Sequence, residues 1–163
     1  MHTRKIPSSG AALPVIGCGT WRGFDVGEGA GERAPLAQVL RVLFEAGGSV
    51  IDSSPMYGRA EAVVGDLLSA AHNRDQAFIA TKVWTTGRAA GIAQMQRSMR
   101  LLRTDHIELM QVHNLLDWRT QLATLRAVHT ATSRFDYTAF IPAHPPNPDR
   151  PLTKADVTAA VGN

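Results

Sequence analysis

Four side chains in this sequence could together move a proton onto a carbonyl oxygen: Asp52, Tyr57, Lys82 and His113. A tyrosine hydroxyl, with an ordinary pKa of about 10, is a reluctant acid at neutral pH. An ammonium held close to it favours the phenolate, so Lys82 is expected to lower the pKa of Tyr57 and make its proton easier to give. A carboxylate beside that ammonium, the part open to Asp52, keeps it charged and oriented. An imidazole at the same rim, His113, can hold a carbonyl oxygen in line while hydride arrives at its carbon. Taken singly, Asp52, Lys82 and Tyr57 read more readily as a surface ion pair or a rim aromatic, and His113 as a core or capping histidine. The chemistry depends on the chain bringing them together.

The elements that must do so alternate. LPVIGCGT (13–20) is an apolar run closed by glycine, and helical spacing follows at Leu36, Val39, Leu40 and Leu43. Gly47 and Gly48 stop that helix where a left-handed cap wants glycine. SVIDSS (49–54) begins a second strand, and Ala60, Val63, Val64, Leu67 and Ala71 mark a second helix that Asn73 can end. AFIATKV (77–83) is a third strand, with Ile92, Met95, Met99 and Leu102 on the helix after it. HIELMQV (106–112) is a fourth, followed by Trp118, Leu122 and Leu125. Strand-helix alternation of this kind predicts a parallel sheet. Asp52, Lys82 and His113 all fall at carboxyl ends, which in a closed β/α-barrel share one mouth. A doubly wound dinucleotide fold would want G-x-G-x-x-G after the first strand, and GCGTWRG (17–23) lacks that spacing.

The runs LPVIGCGTW, VIDSSPMYG, FIATKVW and LMQVHN, in that order and spacing, resemble the aldo-keto reductase family. The resemblance implies an NAD(P)H-dependent oxidoreductase on an eight-fold β/α-barrel, reducing an aldehyde or ketone. It assigns Asp52, Tyr57, Lys82 and His113 to the family's catalytic tetrad, with Tyr57 the general acid. Gly19, Thr20, Trp21 and Asp52 then fall at the nicotinamide end of the cofactor, NADPH first and NADH as the alternative. Trp21, Trp84 and His113 fall at the substrate, although Trp84 reads equally as a cover for the rim. RKIPSSG (4–10) is similar to the hairpin that plugs the bottom of the family's barrel.

The resemblance covers roughly residues 3–128, and residues 1–128 are expected to form a partial barrel of about four of eight strand-helix units. From His129 to residue 163 the chain holds five of the nine prolines and no readable fifth strand; only TKADVTAAV (153–161) has a helical pattern, with Thr153 as its N-cap. The fold expected is therefore α/β, a partial TIM-type parallel barrel with an N-terminal hairpin and an irregular Pro-rich tail, from a truncated or frame-shifted gene. Such a half-barrel would expose strand edges and inner side chains such as Val50, Ile79 and Leu109. Self-association and weak cofactor binding would follow. A catalytically inactive fragment or an oligomerising module is thus the alternative function. A Schiff-base enzyme using Lys82 is a third reading, and the neighbouring Asp52 argues against it.

Composition narrows the partners. The formal charge of +3 and pI near 9.5 arise from 17 basic and 14 acidic residues without a Lys/Arg run, so no nucleic acid is expected. No apolar stretch approaches the roughly 20 residues of a membrane helix, so no membrane partner is expected and a cytoplasmic location is the simplest reading. Cys18 is the one cysteine, read as a packed side chain, and the six histidines show no zinc spacing, so no metal is expected. The partner that remains is a small carbonyl substrate.

Overall fold

The computed structural model describes residues 1–7 and 9–132. The expected helical segment at 153–161, and the tail from residue 133 onward, lie outside these.

The run at 13–20 divides in two. Thr3–Lys5 (β1) and Ala12–Pro14 (β2) pair as an antiparallel hairpin, while Gly17–Gly19 (β3) opens a separate parallel sheet. The Val15 N–H still bonds to the His2 carbonyl at 3.0 Å, which keeps the chain with the hairpin until just before Gly17. Helix α1 (Ala30–Glu45), β4 (Val50–Asp52), α2 (Ala60–Ala70), β5 (Phe78–Val83), α3 (Arg88–Leu101), β6 (Leu109–Val112) and α4 (Trp118–Thr132) then alternate. The sheet order is β3-β4-β5-β6, every pair parallel. This is part of a TIM-type barrel, as the alternation predicts, and α4 continues past the expected boundary at 128.

Register decides which side chains meet. Gly19, Asp52, Ala80 and Leu109 stand in one row, and Lys82 stands beside Gln111. Because alternate strand residues face opposite ways, Asp52, Lys82, Leu109 and Gln111 share the face away from the helices. Ile51, Ile79, Thr81 and Met110 share the other. Ile79 therefore corrects the expectation that it lines a barrel interior with Val50 and Leu109: a lysine facing inward at 82 turns residue 79 to the helix side. There Ile51, Ile79 and Met110 pack with Val63, Leu68, Met95, Leu102 and Leu125, all fully buried. In α1 the buried position is Leu40, while Val39, expected on the same face, is 45% exposed.

Three helices stop alike. The Gly48 N–H reaches the Leu43 carbonyl across Gly47 (φ 80°), Asn73 reaches Leu68 across His72 (φ 51°), and Thr104 reaches Met99 across Arg103 (φ 51°). Each is a Schellman ending with one left-handed residue. Only the first has glycine there; Asn73, expected to end α2, sits one place beyond the left-handed residue.

Two polar clusters, one buried and one partly buried, tie the layers. Glu61 on α2 accepts from the Thr81 hydroxyl at 2.7 Å and the Ser98 hydroxyl at 3.1 Å, joining α2, β5 and α3. Burial pushes its carboxyl above the ordinary glutamate value, and the two hydroxyls partly offset this. At the amino ends of the strands the Arg74 guanidinium bonds to both Glu108 oxygens at 2.9 and 3.0 Å and to the carbonyls of Ala77 and His106. Glu108 in turn accepts the Ile79 N–H at 2.7 Å.

Helix α2 approaches the end of α3 closely at Gly65, where an added Cβ would lie 2.2 Å from the Leu101 carbonyl oxygen and 2.7 Å from the Leu102 carbonyl carbon. Those are backbone atoms, so the helices themselves would have to part. Gly65→Ala is expected to lower stability by about 1–3 kcal/mol, the usual cost of overpacking. Urea unfolding followed by circular dichroism should show a lower midpoint; an unchanged or higher midpoint would mean that the contact yields without strain.

Candidate active site

Strand β4 ends at Asp52, and residues 53–58 carry the chain across the carboxyl end of the sheet. The Tyr57 N–H bonds to the Ser54 carbonyl at 3.0 Å, a turn that Pro55 suits by its fixed φ. Asp25, from the loop after β3, accepts the Arg59 N–H at 2.9 Å and anchors the far end of this segment. Strand β5 brings Lys82 alongside, and β6 delivers His113 at its tip, where a 3-10 turn over His113–Leu115 begins.

These placements bring the four predicted side chains together. The Lys82 ammonium bonds to both Asp52 carboxylate oxygens at 2.8 Å and to the Ser53 carbonyl at 2.6 Å. It lies 5.4 Å from the centre of the Tyr57 ring. The His113 ring meets Tyr57 edge to face, 5.8 Å between centres and 89° between planes. Nδ1 of His113 lies 2.7 Å from the Ser54 hydroxyl. Among the described residues the Tyr57 hydroxyl makes no hydrogen bond, so it is free to meet a ligand.

Electrostatics corrects one expectation. Burial, and then the Asp52 charge, push the Tyr57 hydroxyl above its ordinary value rather than below it. The physical reason is that a phenolate would lose water at this rim and would lie near the negative charge of Asp52, which stands beside the lysine. His113 is pushed below the ordinary histidine value by burial and by Lys82, with Asp52 acting the other way. A protonated phenol thus faces a neutral imidazole.

The other predicted residues take different positions. Trp21 is 62% exposed, with its ring centre 6.5 Å from that of Tyr57. Gly19 has nothing within 4 Å of where a Cβ would stand, so the end of β3 is open above it. Thr20 is wholly buried; its hydroxyl lies 3.0 Å from both the Asp52 carbonyl and the Ser53 hydroxyl. Trp84 follows β5 at the same rim, 39% exposed, its backbone held by the Gln94 amide. Cys18 is half-buried and burial pushes its thiol up, as suits packing rather than a reactive thiolate. A cavity of about 670 Å³ lies elsewhere, between α1 and α2, lined by Leu40, Phe44 and Leu67.

Three contributors escaped sequence reasoning: the Ser53 carbonyl, the Ser54 hydroxyl, and Gln111, whose amide lies 3.4 Å from Asp52. The serines stand inside the run that carries Asp52 and Tyr57, and Gln111 lies two places before His113 on an alternating strand. Those spacings were the available signal.

Comparison with known proteins accords with this geometry. Residues 15–134 match the Aldo/keto reductase family. The chain is 36% identical over 118 residues to methylglyoxal reductase YeaE of Escherichia coli K12, covering 69% of this chain and 40% of that protein. It is 31% identical over 126 residues to aldo-keto reductase YhdN of Bacillus subtilis, covering 69% and 38%. The chain thus spans about two-fifths of the length of these curated relatives. The crystal structure of an aldo-keto reductase from Klebsiella pneumoniae in complex with NADPH superposes with a TM-score of 0.67 at 27% identity, over 83% of this chain and 48% of that one. Sequence match, fold and the gathering of Asp52, Tyr57, Lys82 and His113 agree, and the chain belongs to the aldo/keto reductase family.

Proposed function

We propose that the site reduces the carbonyl of a small aldehyde or ketone with NADPH, Tyr57 giving the proton. The observation that carries this reading is the Tyr57 hydroxyl, without a hydrogen bond among the described residues, on a ring set between the Lys82–Asp52 pair and His113. Support for NADPH over NADH comes from the Klebsiella relative, described in complex with NADPH. Support for a small carbonyl comes from the Escherichia coli relative's action on methylglyoxal.

The residues present fit a flat, partly apolar ring across the end of β3. Gly19 leaves open space, Trp21 offers an exposed aromatic face beside Tyr57, and the Asp52 carboxylate is about two-fifths exposed (39%). Gly19, Trp21 and Asp52 would hold the nicotinamide end. Thr20 acts indirectly, by fixing the backbone of residues 52 and 53. When bound, the reduced nicotinamide supplies hydride to the carbonyl carbon.

The chain's own residues handle the proton. His113, neutral, orients the carbonyl oxygen toward Tyr57. Because the Tyr57 pKa is raised, the hydroxyl keeps its proton until the oxygen of the substrate becomes basic. The charge then left on Tyr57 is met by the Lys82 ammonium, already ordered by Asp52 and Ser53 and therefore needing no rearrangement. Gln111 steadies Asp52 from the neighbouring strand.

Replacing Tyr57 by Phe keeps the ring and removes the proton donor. Carbonyl reduction, measured as NADPH oxidation with methylglyoxal, should fall by about 10²–10⁴-fold with NADPH affinity little changed. A wild-type protein that oxidises no NADPH against small aldehydes, or a Phe variant that keeps its turnover, would sink the reading.

His113 should titrate below the ordinary value of about 6.5 in a histidine NMR titration. Its folded pKa is the lower one, so between about 6.5 and the folded pKa the unfolded chain binds more protons. Stability should therefore fall as pH descends from about 6.5 to the folded pKa and be insensitive to this group above it. His113→Gln should remove that part of the pH dependence; a His113 that titrates at or above the ordinary value contradicts the neutral-imidazole role.

A further inference from the structure

Ser54 stands where it can choose between the two neutral forms of His113. It is 1% exposed, and its hydroxyl oxygen lies 2.7 Å from Nδ1. In a neutral imidazole one ring nitrogen carries the proton and the other accepts, and the partner of one nitrogen sets the role of the other. If Nδ1–H donated to Ser54, the serine O–H would need another acceptor. Among the described residues it has none. The other group at that oxygen is the Met56 N–H, 3.4 Å away, which is itself a donor. A buried hydroxyl proton would then stay unpaired, with its full desolvation cost. If the serine donates to Nδ1, every group is satisfied: Oγ accepts from Met56, its proton goes to Nδ1, and the imidazole proton sits on Nε2.

We infer that Ser54 is a positioning residue, donating its hydroxyl proton to Nδ1 of His113 and so fixing the imidazole as the tautomer protonated on Nε2. Among the described residues nothing bonds to Nε2, which leaves that N–H for a ligand. Burial and Lys82 push the His113 pKa down, which favours the neutral ring to which the tautomer question applies. The catalytic consequence rests on the reductase reading: an Nε2–H donor draws a carbonyl oxygen toward Tyr57, whereas an Nε2 lone pair would repel it and compete for the Tyr57 proton. The tautomer assignment itself does not need turnover.

Long-range nitrogen–proton correlation spectra of the protein labelled with nitrogen-15 histidine, at a pH where the ring is neutral, read the tautomer directly. His113→Gln identifies the resonances. The wild type should show a single form with Nδ1 unprotonated and Nε2 protonated, Ser54→Ala a mixture of the two forms, and Ser54→Thr, which keeps the hydroxyl, the wild-type form. A wild type protonated on Nδ1 or already mixed overturns the inference, as does an alanine variant identical to wild type or a folded threonine variant that is mixed. Should the alanine variant not fold, the wild-type spectrum still decides. In an assay of reduction, Ser54→Ala should raise KM for the carbonyl and lower kcat while NADPH affinity holds. A fixed tautomer in a protein without reductase activity would refute the proposed function and leave the role of Ser54 toward His113 standing.

Discussion

An ammonium enclosed at the end of a strand must be surrounded by oxygen, because burying its charge unpaired costs far more than a single contact returns. Lys82 has three N–H bonds and meets three acceptors: the two Asp52 oxygens and the Ser53 carbonyl. The side chain is 11% exposed, so little water is available to substitute for any of them. That requirement fixes the ends of β4 and β5 relative to each other. A slip of one residue in their pairing would send Lys82 to the helix side, into the hydrophobic layer. The same constraint reaches β3, since Thr20 holds the Asp52 carbonyl and the Ser53 hydroxyl. It also bears on Tyr57: the carboxylate that the ammonium holds in place is the charge that, with burial, pushes the phenol pKa up.

The two ends of the sheet are polar in different ways. At the amino ends, Arg74 and Glu108 are bonded to each other and to the strand backbone, so the charges of this pair are matched within the fold. At the carboxyl ends, the Tyr57 hydroxyl and the His113 Nε2 have no partner among the described residues, and Trp21 is largely exposed. The first cluster closes the structure and the second leaves polar atoms facing outward, the division expected of a β/α-barrel.

Much of this was legible from local pattern. The glycine pair 47–48, the alternation of runs about 30 residues apart and the polar residues at strand ends led to the right order of elements and to the meeting of Asp52, Tyr57, Lys82 and His113. What escaped depends on partners distant in the chain. An apolar run at 13–20 does not say that its first half pairs with residues 3–5 and its second with 50–52. His72 and Arg103 take left-handed conformations that tertiary packing tolerates and residue type does not announce. Ile79 and Leu109 both read as strand interior, and only the inward lysine at 82 tells them apart. The raised pKa of Tyr57 was hidden for a similar reason: the sequence names the lysine and the aspartate but not the burial of the hydroxyl or the pull of the aspartate on it.

Glu61 carries a consequence for how this fold can vary over time. Its carboxylate is shared by a threonine on β5 and a serine on α3, so one buried acid joins three elements. Changing Thr81 or Ser98 to an apolar residue strands one oxygen of a buried acid, and changing Glu61 to an apolar residue strands two hydroxyls. Replacing all three by well-packed apolar side chains removes the difficulty altogether. Positions 61, 81 and 98 should therefore change as a set in descendants of this sequence, with single replacements disfavoured at each step. Thr81 adjoins Lys82 in the strand, so drift in a buried layer remote from any ligand is coupled, through one strand, to the residue on which the site is built.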